Sequence, residues 1–330
     1  MRVGVIGLGF MGATHLNAFR GIDGVEIAAV SSKNRKALEG DLSGAGGNLG
    51  REAGVFDFSA VSKFADWHDL LEDPSVDAVD ICLPTYLHLE ATVLALEAGK
   101  HVLVEKPMAL DGAQCDAILG AAGRSKQVLM VAQVLRFWPE YIALRKLLQS
   151  GVNGPVREAV FSRRCGLPDW SAWLSDESRS GGAVLDLLAH DIDQALHLFG
   201  LPDSVSAGSL GPVDTLGASL RYRDGSVVSI HGGWYPAGEP FSMGFRVAMD
   251  STGLELKDSV LREKTSGEWR SIASPPGDAY QAELSYFIDC CRSGSRPVEC
   301  LPLESARAVK LALLLKESRR QGGTKLPCSI

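Results

Sequence analysis

The amino-acid sequence predicts an α/β protein: a doubly wound parallel sheet followed by an α+β domain with a largely antiparallel, open sheet. Up to about residue 134, short apolar strands alternate with helices at a period of about 25 to 35 residues, which is typical of a doubly wound sheet. After Arg136 this alternation ends, and several strand-like runs follow one another before two final helices. We therefore predict an N-terminal domain over residues 1–124 and a C-terminal domain over residues 125–330.

The composition is that of a globular protein, since 45% of the 330 residues are hydrophobic and 22% are charged. A net charge of −7 without a long basic run argues against binding to nucleic acid or to an anionic membrane. No apolar run in the sequence is long enough to span a bilayer. Seven cysteines without paired spacing, and no Cys/His cluster with zinc-site spacing, predict reduced thiols, no metal and a cytoplasmic protein.

The chain begins with a short apolar run, Val3, Val5 and Ile6, as expected of a buried parallel strand. Glycines spaced G-x-G-x-x-G follow, and a helical pattern then continues to Phe19. Such glycines allow a tight turn from strand to helix, close approach of a pyrophosphate, and close packing of the helix on the strand. This arrangement predicts a Rossmann domain that binds a dinucleotide. Its predicted phosphate-binding turn consists of Gly7, Leu8, Gly9, Phe10, Met11 and Gly12.

The second predicted strand, residues 25–30, ends at two serines followed by two cations, Ser31, Ser32, Lys33 and Arg35. At this position an NAD site usually has a carboxylate that binds the ribose hydroxyls. Two hydroxyls and two cations suit a 2′-phosphate, which a carboxylate would repel. NADP is therefore favoured over NAD. The alternative interpretation is that the two cations merely solvate the next helix.

Further strands and helices complete the predicted N-terminal sheet. Strands are expected at residues 77–83, 101–104 and 128–134, and helices at 87–98 and 111–122. Gly99 lies where a helix C-terminus favours glycine, and Asp111 lies where an N-cap favours aspartate. The glycine-rich residues 40–54 are interpreted as a loop or a frayed helix end, and residues 64–71 as a short helical turn.

The C-terminal half is interpreted as a set of strands between helices. Helices are predicted at residues 139–149, 280–292 and 303–321, and strands at 156–163, 204–210, 218–222, 226–232, 245–250, 253–257 and 259–263. Asp224-Gly225, between two of these strands, is a hairpin signal, because this dipeptide favours a tight β-turn.

Residues 181–200, GGAVLDLLAHDIDQALHLFG, are mostly apolar and predict one largely buried helix. Four polar residues share one face of it at helical spacing: Asp186, His190, Asp193 and His197. An aspartate one turn before a histidine can orient the imidazole or bind a substrate hydroxyl, so Asp186 and His190 are candidate site residues. Asp193 and His197 are interpreted as structural partners of the backbone or of Arg136. The glycine pair that starts the segment would leave room for a ligand.

Lys106 follows the strand at residues 101–104, at the sheet edge where doubly wound folds bind cofactors. A lysine there can donate a hydrogen bond to a substrate hydroxyl or a developing alkoxide without changing its own charge. Pro107 restricts Lys106 to an extended backbone, which fixes where its side chain begins. The alternative is an ordinary surface lysine on a loop.

Four stretches together resemble the Gfo/Idh/MocA family of NAD(P)-dependent oxidoreductases, and the resemblance covers nearly the whole chain. They are GLGFMG at 7–12, CLPTYLH at 82–88, AGKHVLVEKPMAL at 98–110 and GGAVLDLLAHDID at 181–193. The resemblance implies that Lys106, Asp186 and His190 are catalytic. It implies that the nicotinamide side of the cofactor is lined by Leu83, Pro84, Thr85, His88, Glu105 and Lys106, with Arg136 nearby. At Ser31 and Ser32 the sequence departs from NAD-using members, which carry an acidic residue there.

By this resemblance the expected activity is hydride transfer between a nicotinamide cofactor, NADP or NAD, and a secondary alcohol or ketone of a sugar, cyclitol or derivative. His190 would take the hydroxyl proton, Lys106 would hydrogen-bond the same oxygen, and Asp186 would orient His190 or bind a neighbouring hydroxyl. One alternative is an NAD-dependent glycoside hydrolase that oxidises its sugar transiently. Another is a non-catalytic NAD(P) sensor, which the presence of all three catalytic residues disfavours.

Residues 163–179 are expected to form part of the wall of the substrate pocket. Trp170 and Trp173 would either stack on a sugar face or pack under a loop. Arg163 and Arg164 suggest an anionic group on the substrate. The open C-terminal sheet predicts a homodimer or homotetramer, because such sheets commonly bury their outer face against a partner.

Overall fold

The computed structural model describes residues 1–47, 54–151, 153–168 and 171–330. The chain divides into two compact units. The first comprises Met1–Val134 and Asp278–Ala306, and the second comprises Leu135–Gly277 and Arg307–Ile330. This division differs from the predicted boundary after residue 124 in two ways. The first unit extends ten residues further, and a segment near the C-terminus returns to it.

The first unit is built on a parallel sheet of six strands. They are β1 (Arg2–Ile6), β2 (Glu26–Ser31), β3 (Ser62–Phe64), β4 (Ala78–Ile81), β5 (His101–Glu105) and β6 (Leu129–Ala132). Their order is β3-β2-β1-β4-β5-β6, and every neighbouring pair is parallel. The strand order reverses at β1, and doubly wound folds bind ligands at the carboxyl ends of the strands beside such a reversal. The predicted doubly wound sheet is confirmed.

The second unit contains a sheet of nine strands. They are β7 (Val156–Gly166), β8 (Ser204–Gly208), β9 (Asp214–Arg221), β10 (Val227–Tyr235), β11 (Ser242–Met249), β12 (Thr252–Lys257), β13 (Val260–Thr265), β14 (Glu268–Ser271) and β15 (Leu326–Pro327). The order is β14-β13-β12-β11-β7-β10-β9-β8-β15, in which β7 and β10 are parallel and the other neighbours antiparallel. The largely antiparallel sheet is confirmed. Gly225, with φ of 85°, lies in the predicted hairpin turn between β9 and β10.

Local sequence signals set several helix ends. The helices are α1 (Phe10–Phe19), α2 (Arg35–Leu38), α3 (Trp67–Leu71), α4 (His88–Glu97), α5 (Gly112–Arg124), α6 (Pro139–Gln149), α7 (Glu177–Ser180), α8 (Gly182–Asp186), α9 (Ala189–Phe199), α10 (Ala279–Ser293) and α11 (Pro302–Arg320). Asp111 caps α5 as predicted, because its carboxylate accepts a hydrogen bond of 2.8 Å from the backbone N–H of Gln114. Gly99, with φ of 74°, follows the end of α4.

The helix α10 belongs to the first unit because it packs against α1. The side chain of Gln281 donates a hydrogen bond of 2.7 Å to the carbonyl oxygen of Gly21, and Arg292 donates one of 2.7 Å to that of Asp23. These partners are about 260 residues apart in the chain, so no local pattern predicts them.

Each unit has its own apolar core. In the first, Val3, Val5 and Ile6 of β1 are fully buried. In the second, Phe245 packs against Tyr141 and Phe161, with ring centroids 5.0 and 6.5 Å away. Within the described residues, every helix is too short or too polar to cross a membrane.

Candidate active site

The predicted phosphate-binding turn lies between β1 and α1. Gly7 has φ of 95°, and a Cβ there would lie 2.5 Å from the carbonyl oxygen of Cys82. A Cβ on Gly12 would collide with the carbonyl oxygen of Gly7. At Gly9, the N-cap of α1, a Cβ would meet none of the described atoms within 4 Å. The turn is therefore closely packed at Gly7 and Gly12 and open at Gly9, which suits an approaching phosphate.

The other residues of this turn differ in exposure. Leu8 is buried, whereas Phe10 and Met11, the first residues of α1, are half-buried. The turn thus offers backbone at Gly9 and partly accessible side chains at the start of the helix.

The end of β2 carries the residues predicted to choose between NADP and NAD. Ser31, the last residue of the strand, is buried, whereas Ser32 is half-buried. The Ser32 hydroxyl accepts a hydrogen bond of 3.1 Å from the backbone N–H of Asn34. Lys33 and Arg35 are exposed, so both cations are accessible to an anion.

A carboxylate already lies near one of these cations. Asp66 is the N-cap of α3, and its carboxylate lies 2.6 Å from Nδ1 of His68. The pKa of Asp66 is lowered first by hydrogen bonds from His68 and to a smaller extent by the positive charge of Lys33. A phosphate bound by Lys33 would therefore share that cation with Asp66.

The loops after β4 and β5 contain residues predicted to line the nicotinamide. Pro84 precedes a short 3-10 helix, Thr85–Leu87, and α4 starts at His88. The buried His88 ring has Nε2 2.8 Å from the carbonyl oxygen of Leu83 and Nδ1 2.8 Å from that of Pro107. Burial lowers the pKa of His88, so the neutral ring donates to one of these two carbonyl oxygens. His88 thus lies between the two loops.

Glu105 and Lys106 lie at the end of β5. Oε1 of the buried Glu105 is 3.3 Å from Nε2 of His15, and Oε2 accepts a hydrogen bond of 3.0 Å from the backbone N–H of Lys106. Burial acts to raise the pKa of Glu105, but the nearby His15 ring and the charge of Lys106 outweigh it and lower that pKa. Glu105 is therefore an anion next to Lys106, which is half-buried.

Asp186 and His190 lie in the second unit, where the prediction of one continuous helix is wrong. Asp186 is the last residue of α8, and His190 is the second residue of α9. Between them the backbone N–H groups of Leu187 and Leu188 both donate to the carbonyl oxygen of Ala183, which interrupts the regular ladder. Of residues 180–195, Asp186 and His190 are half-buried, and all the others are buried. The two predicted catalytic residues are therefore the points at which this segment reaches the surface.

Asp193 is the buried partner of Arg136. The guanidinium donates from Nε and Nη2 to both carboxylate oxygens, at 2.8 and 2.6 Å, and both side chains are buried. The backbone and Arg136 were the two predicted partners of Asp193, and the partner Arg136 is confirmed. Arg136 was expected near the nicotinamide, and that contact remains a prediction. His197 contacts Arg145 of α6, with 3.2 Å between its Nε2 and the arginine Nη1.

Asp191 forms a second buried pair, which the sequence analysis missed. Nε of Arg163 donates a hydrogen bond of 2.7 Å to its carboxylate, and the two side chains are 3% and 0% exposed. Arg163 therefore binds a carboxylate of the protein, and the expectation that it binds an anionic group of the substrate is wrong. Arg163 lies on a strand and Asp191 lies on a helix 28 residues later, so no local sequence pattern could predict that they pair.

The space beside the glycine pair at the start of α8 is filled by the protein, not left for a ligand as predicted. The carboxylate of Asp214 lies next to Gly182, and the side chain of Leu185 lies next to Gly181. Asp214 accepts hydrogen bonds of 2.6 Å from the backbone N–H of the second residue of α8 and of 2.6 Å from Arg319. Asp214 therefore fixes the start of the helix that ends at Asp186.

The structure describes one of the two tryptophans predicted in the pocket wall, Trp173. Trp173 packs, partly buried, against an apolar cluster that includes Trp234, so the packing alternative fits it. Trp170 lies outside the described residues. Arg164 is half-exposed, and its guanidinium lies 4.0 Å from the ring centroid of Tyr235.

Comparison with known proteins gives the family. A profile described as "Oxidoreductase family, NAD-binding Rossmann fold" matches residues 1–133, and one described as "GFO/IDH/MocA C-terminal domain" matches residues 141–252. YdgJ, an uncharacterised oxidoreductase of Escherichia coli K12, is 30% identical over 337 residues, covering 90% of this chain and 91% of that protein. The chain belongs to the Gfo/Idh/MocA oxidoreductase family.

Other members of this family are similar over nearly the whole chain. The myo-inositol 2-dehydrogenase of Thermotoga maritima is 29% identical over 338 residues, covering 96% of this chain and 94% of that enzyme. The fold is also that of levoglucosan dehydrogenase in complex with NADH and L-sorbose, with a TM-score of 0.84 and 20% identity over 100% of this chain and 99% of that one.

Membership in the Gfo/Idh/MocA family confirms the predicted resemblance and the predicted class of activity. The chain is an oxidoreductase that uses a nicotinamide cofactor, bound by a Rossmann domain. The glycoside hydrolase and the non-catalytic sensor are not favoured. The roles of individual site residues remain predictions.

Proposed function

We propose that this oxidoreductase transfers a hydride between its nicotinamide cofactor and a secondary alcohol or ketone of a sugar, cyclitol or derivative. The observation that carries the proposal is the segment 180–195, which is buried except at Asp186 and His190. A carboxylate and an imidazole can handle protons, and these two side chains stay partly accessible, whereas Asp191 and Asp193 in the same segment are buried against arginines. The similarity to a myo-inositol 2-dehydrogenase supports a polyol substrate.

The three proposed catalytic residues divide the work on the substrate oxygen. When bound, the cofactor supplies the nicotinamide carbon that accepts or returns the hydride. In oxidation, His190 takes the hydroxyl proton while the C–H electron pair leaves as hydride and the carbonyl forms. Lys106 donates a hydrogen bond to the same oxygen and stabilises its developing negative charge. Asp186 orients the imidazole or binds a neighbouring hydroxyl.

A panel of sugars and cyclitols, tested in both directions with both nicotinamides, is expected to give a substrate. For that substrate, deuterium placed on the carbinol carbon should appear in the reduced cofactor, because hydride moves directly from carbon to carbon. Incubation with a nitrophenyl glycoside and no added cofactor should release no nitrophenol. Steady nitrophenol release, or deuterium that reaches the cofactor from solvent instead of substrate, would contradict the proposal.

We further propose that NADP is the preferred cofactor. Ser32 provides a hydroxyl at the end of β2, and Lys33 and Arg35 provide two exposed cations immediately after it. These groups attract a 2′-phosphate, which adds two negative charges to the adenosine ribose.

The variant Lys33→Ala/Arg35→Ala is expected to bind NADPH about 10- to 100-fold more weakly, because charge-assisted hydrogen bonds contribute about 1.5–3 kcal/mol. NADH, which lacks the phosphate, should bind nearly as before. Fluorescence titrations with both reduced cofactors measure the two dissociation constants. Lys126→Ala, at an exposed lysine after α5, is the control for a lost positive charge and should affect neither. Equal weakening of both cofactors would show that Lys33 and Arg35 do not bind the 2′-phosphate.

The assembly is proposed to be a homodimer or homotetramer. Three apolar side chains of the second unit, Val213, Val260 and Ile272, are 39%, 37% and 40% exposed. A second copy that covers such side chains would remove them from water, as in the common symmetric oligomers.

A further inference from the structure

Three buried ionisable side chains from three elements of the first unit meet next to Lys106. Nδ1 of His15, on α1, is 2.9 Å from Oδ2 of Asp80 on β4. Nε2 of the same ring is 3.3 Å from Oε1 of Glu105 at the end of β5. The His15 and Asp80 side chains are fully buried, and that of Glu105 is 8% exposed. One imidazole thus lies between two buried carboxylates.

The surroundings of His15 favour its doubly protonated form. Burial acts to lower the pKa of His15, but the charge and hydrogen bond of Asp80 outweigh it, and that pKa is raised well above its ordinary value. Cys82, with Sγ 3.5 Å from Nδ1, stays a neutral thiol because burial raises its pKa. On the α10 side, the ring centroid of Tyr280 is 6.1 Å away. His15 therefore supplies a positive charge that Asp80 and Glu105 share.

Glu105 connects His15 to the next residue, Lys106. Its Oε1 lies against His15, and its Oε2 accepts the backbone N–H of Lys106, so the carboxylate cannot rotate without losing one of the two contacts. We infer that His15 is a positioning residue of the active site, which acts through Glu105 to fix the backbone from which the Lys106 side chain extends. The inference rests on the catalytic role proposed above for Lys106. Nδ1 of His88 lies 2.8 Å from the carbonyl oxygen of Pro107, one residue further along the same loop.

A double-mutant cycle between His15 and Lys106 tests the inference. His15→Gln should lower kcat by about 10- to 100-fold, because a catalytic group displaced by about 1 Å can lose about 10²-fold in rate. The cofactor dissociation constant should stay nearly the same. In the Lys106→Ala background, His15→Gln should leave kcat almost unchanged, because the group that it positions is gone. A histidine that only stabilises the fold would lower kcat equally in both backgrounds.

Two further variants separate positioning from folding. His15→Gln leaves two buried carboxylates without a cation, which destabilises the domain. His15→Gln/Asp80→Asn removes one charge of each sign, keeps hydrogen-bonding groups at both positions, and should lose kcat to the same extent. Lys100→Met is the stability control. Lys100 lies just before the start of β5 and is buried. Its Nζ donates to two backbone carbonyl oxygens, at 2.7 and 2.8 Å. This variant should melt at a lower temperature and retain kcat.

The outcomes distinguish the inference from the proposed function. If Lys106→Ala leaves kcat unchanged, the role proposed for Lys106 is wrong. If Lys106→Ala lowers kcat but both His15 variants turn over like the wild type, the positioning role is wrong and the proposed function stands. Equal losses from His15→Gln with and without Lys106 lead to the same conclusion.

Discussion

Replacing His190 with alanine is expected to lower kcat by about 10²–10⁴-fold, the usual contribution of a general acid–base group. Without the imidazole, the substrate hydroxyl must lose its proton to water while the hydride leaves. The phosphate-binding turn is unaffected, so the cofactor should bind with nearly the same dissociation constant. Steady-state kinetics at saturating substrate and cofactor, together with a cofactor titration, measure the two quantities.

The same helix offers a matched control. His197 lies about two turns further along α9, where it contacts Arg145. His197→Ala should keep kcat close to that of the wild type. His190→Asn retains a polar side chain but cannot accept a proton near neutral pH, so it should be as slow as His190→Ala. If the His190 and His197 variants lose activity equally, the loss comes from damage to α9, and His190 is not the base.

Helical spacing places Asp186 and His190 on one polar stripe, but the structure does not contain this stripe as one helix. The ladder of hydrogen bonds stops after Asp186 and resumes at α9. Asp193, assigned to the same stripe, is buried against Arg136. Helical spacing therefore identified polar residues in this segment, whereas the burial of Asp193 depends on its contact with another element.

Local rules were sufficient where the cause is local. The turn from Gly7 to Gly12, the cap at Asp111 and the Asp224-Gly225 hairpin each depend on a few neighbouring residues, and each lies where it was predicted. The short strands β3, β14 and β15 were missed, because two to four residues carry too little alternation to be recognised. The return of α10 to the first unit depends on contacts across the length of the chain.

Two aspartates within the three residues after His190 are each paired with an arginine. Asp191 is bound by Arg163 of β7, and Asp193 by Arg136 of a short 3-10 helix, Val134–Phe137. Each aspartate thus ties α9 to a different element of the second unit. Because an unpaired charge is costly in an apolar interior, both pairs resist rotation of the helix that carries His190.

Asp193→Ala is expected to destabilise the second unit by about 3–5 kcal/mol, because it leaves the Arg136 guanidinium buried without its carboxylate. The arginine side chain is 0% exposed and that of the aspartate 1%, so water does not replace the lost partner. The effect should appear as a lower midpoint in thermal and urea unfolding, followed by circular dichroism. Arg223→Ala, which removes a pair between Arg223 and Asp203 whose arginine is 93% exposed, should leave the midpoint nearly unchanged.

The double variant Arg136→Met/Asp193→Leu separates the two possible origins of that loss. If the loss comes from the stranded charge, replacing both partners with apolar side chains should recover most of the stability, as is common for buried pairs. If it comes from the hydrogen bonds themselves, the double variant should be no more stable than Asp193→Ala. The turnover of the double variant then adds a second test. A stable second unit that has lost the pair but keeps kcat would show that the Arg136–Asp193 pair serves folding and that α9 presents His190 without it.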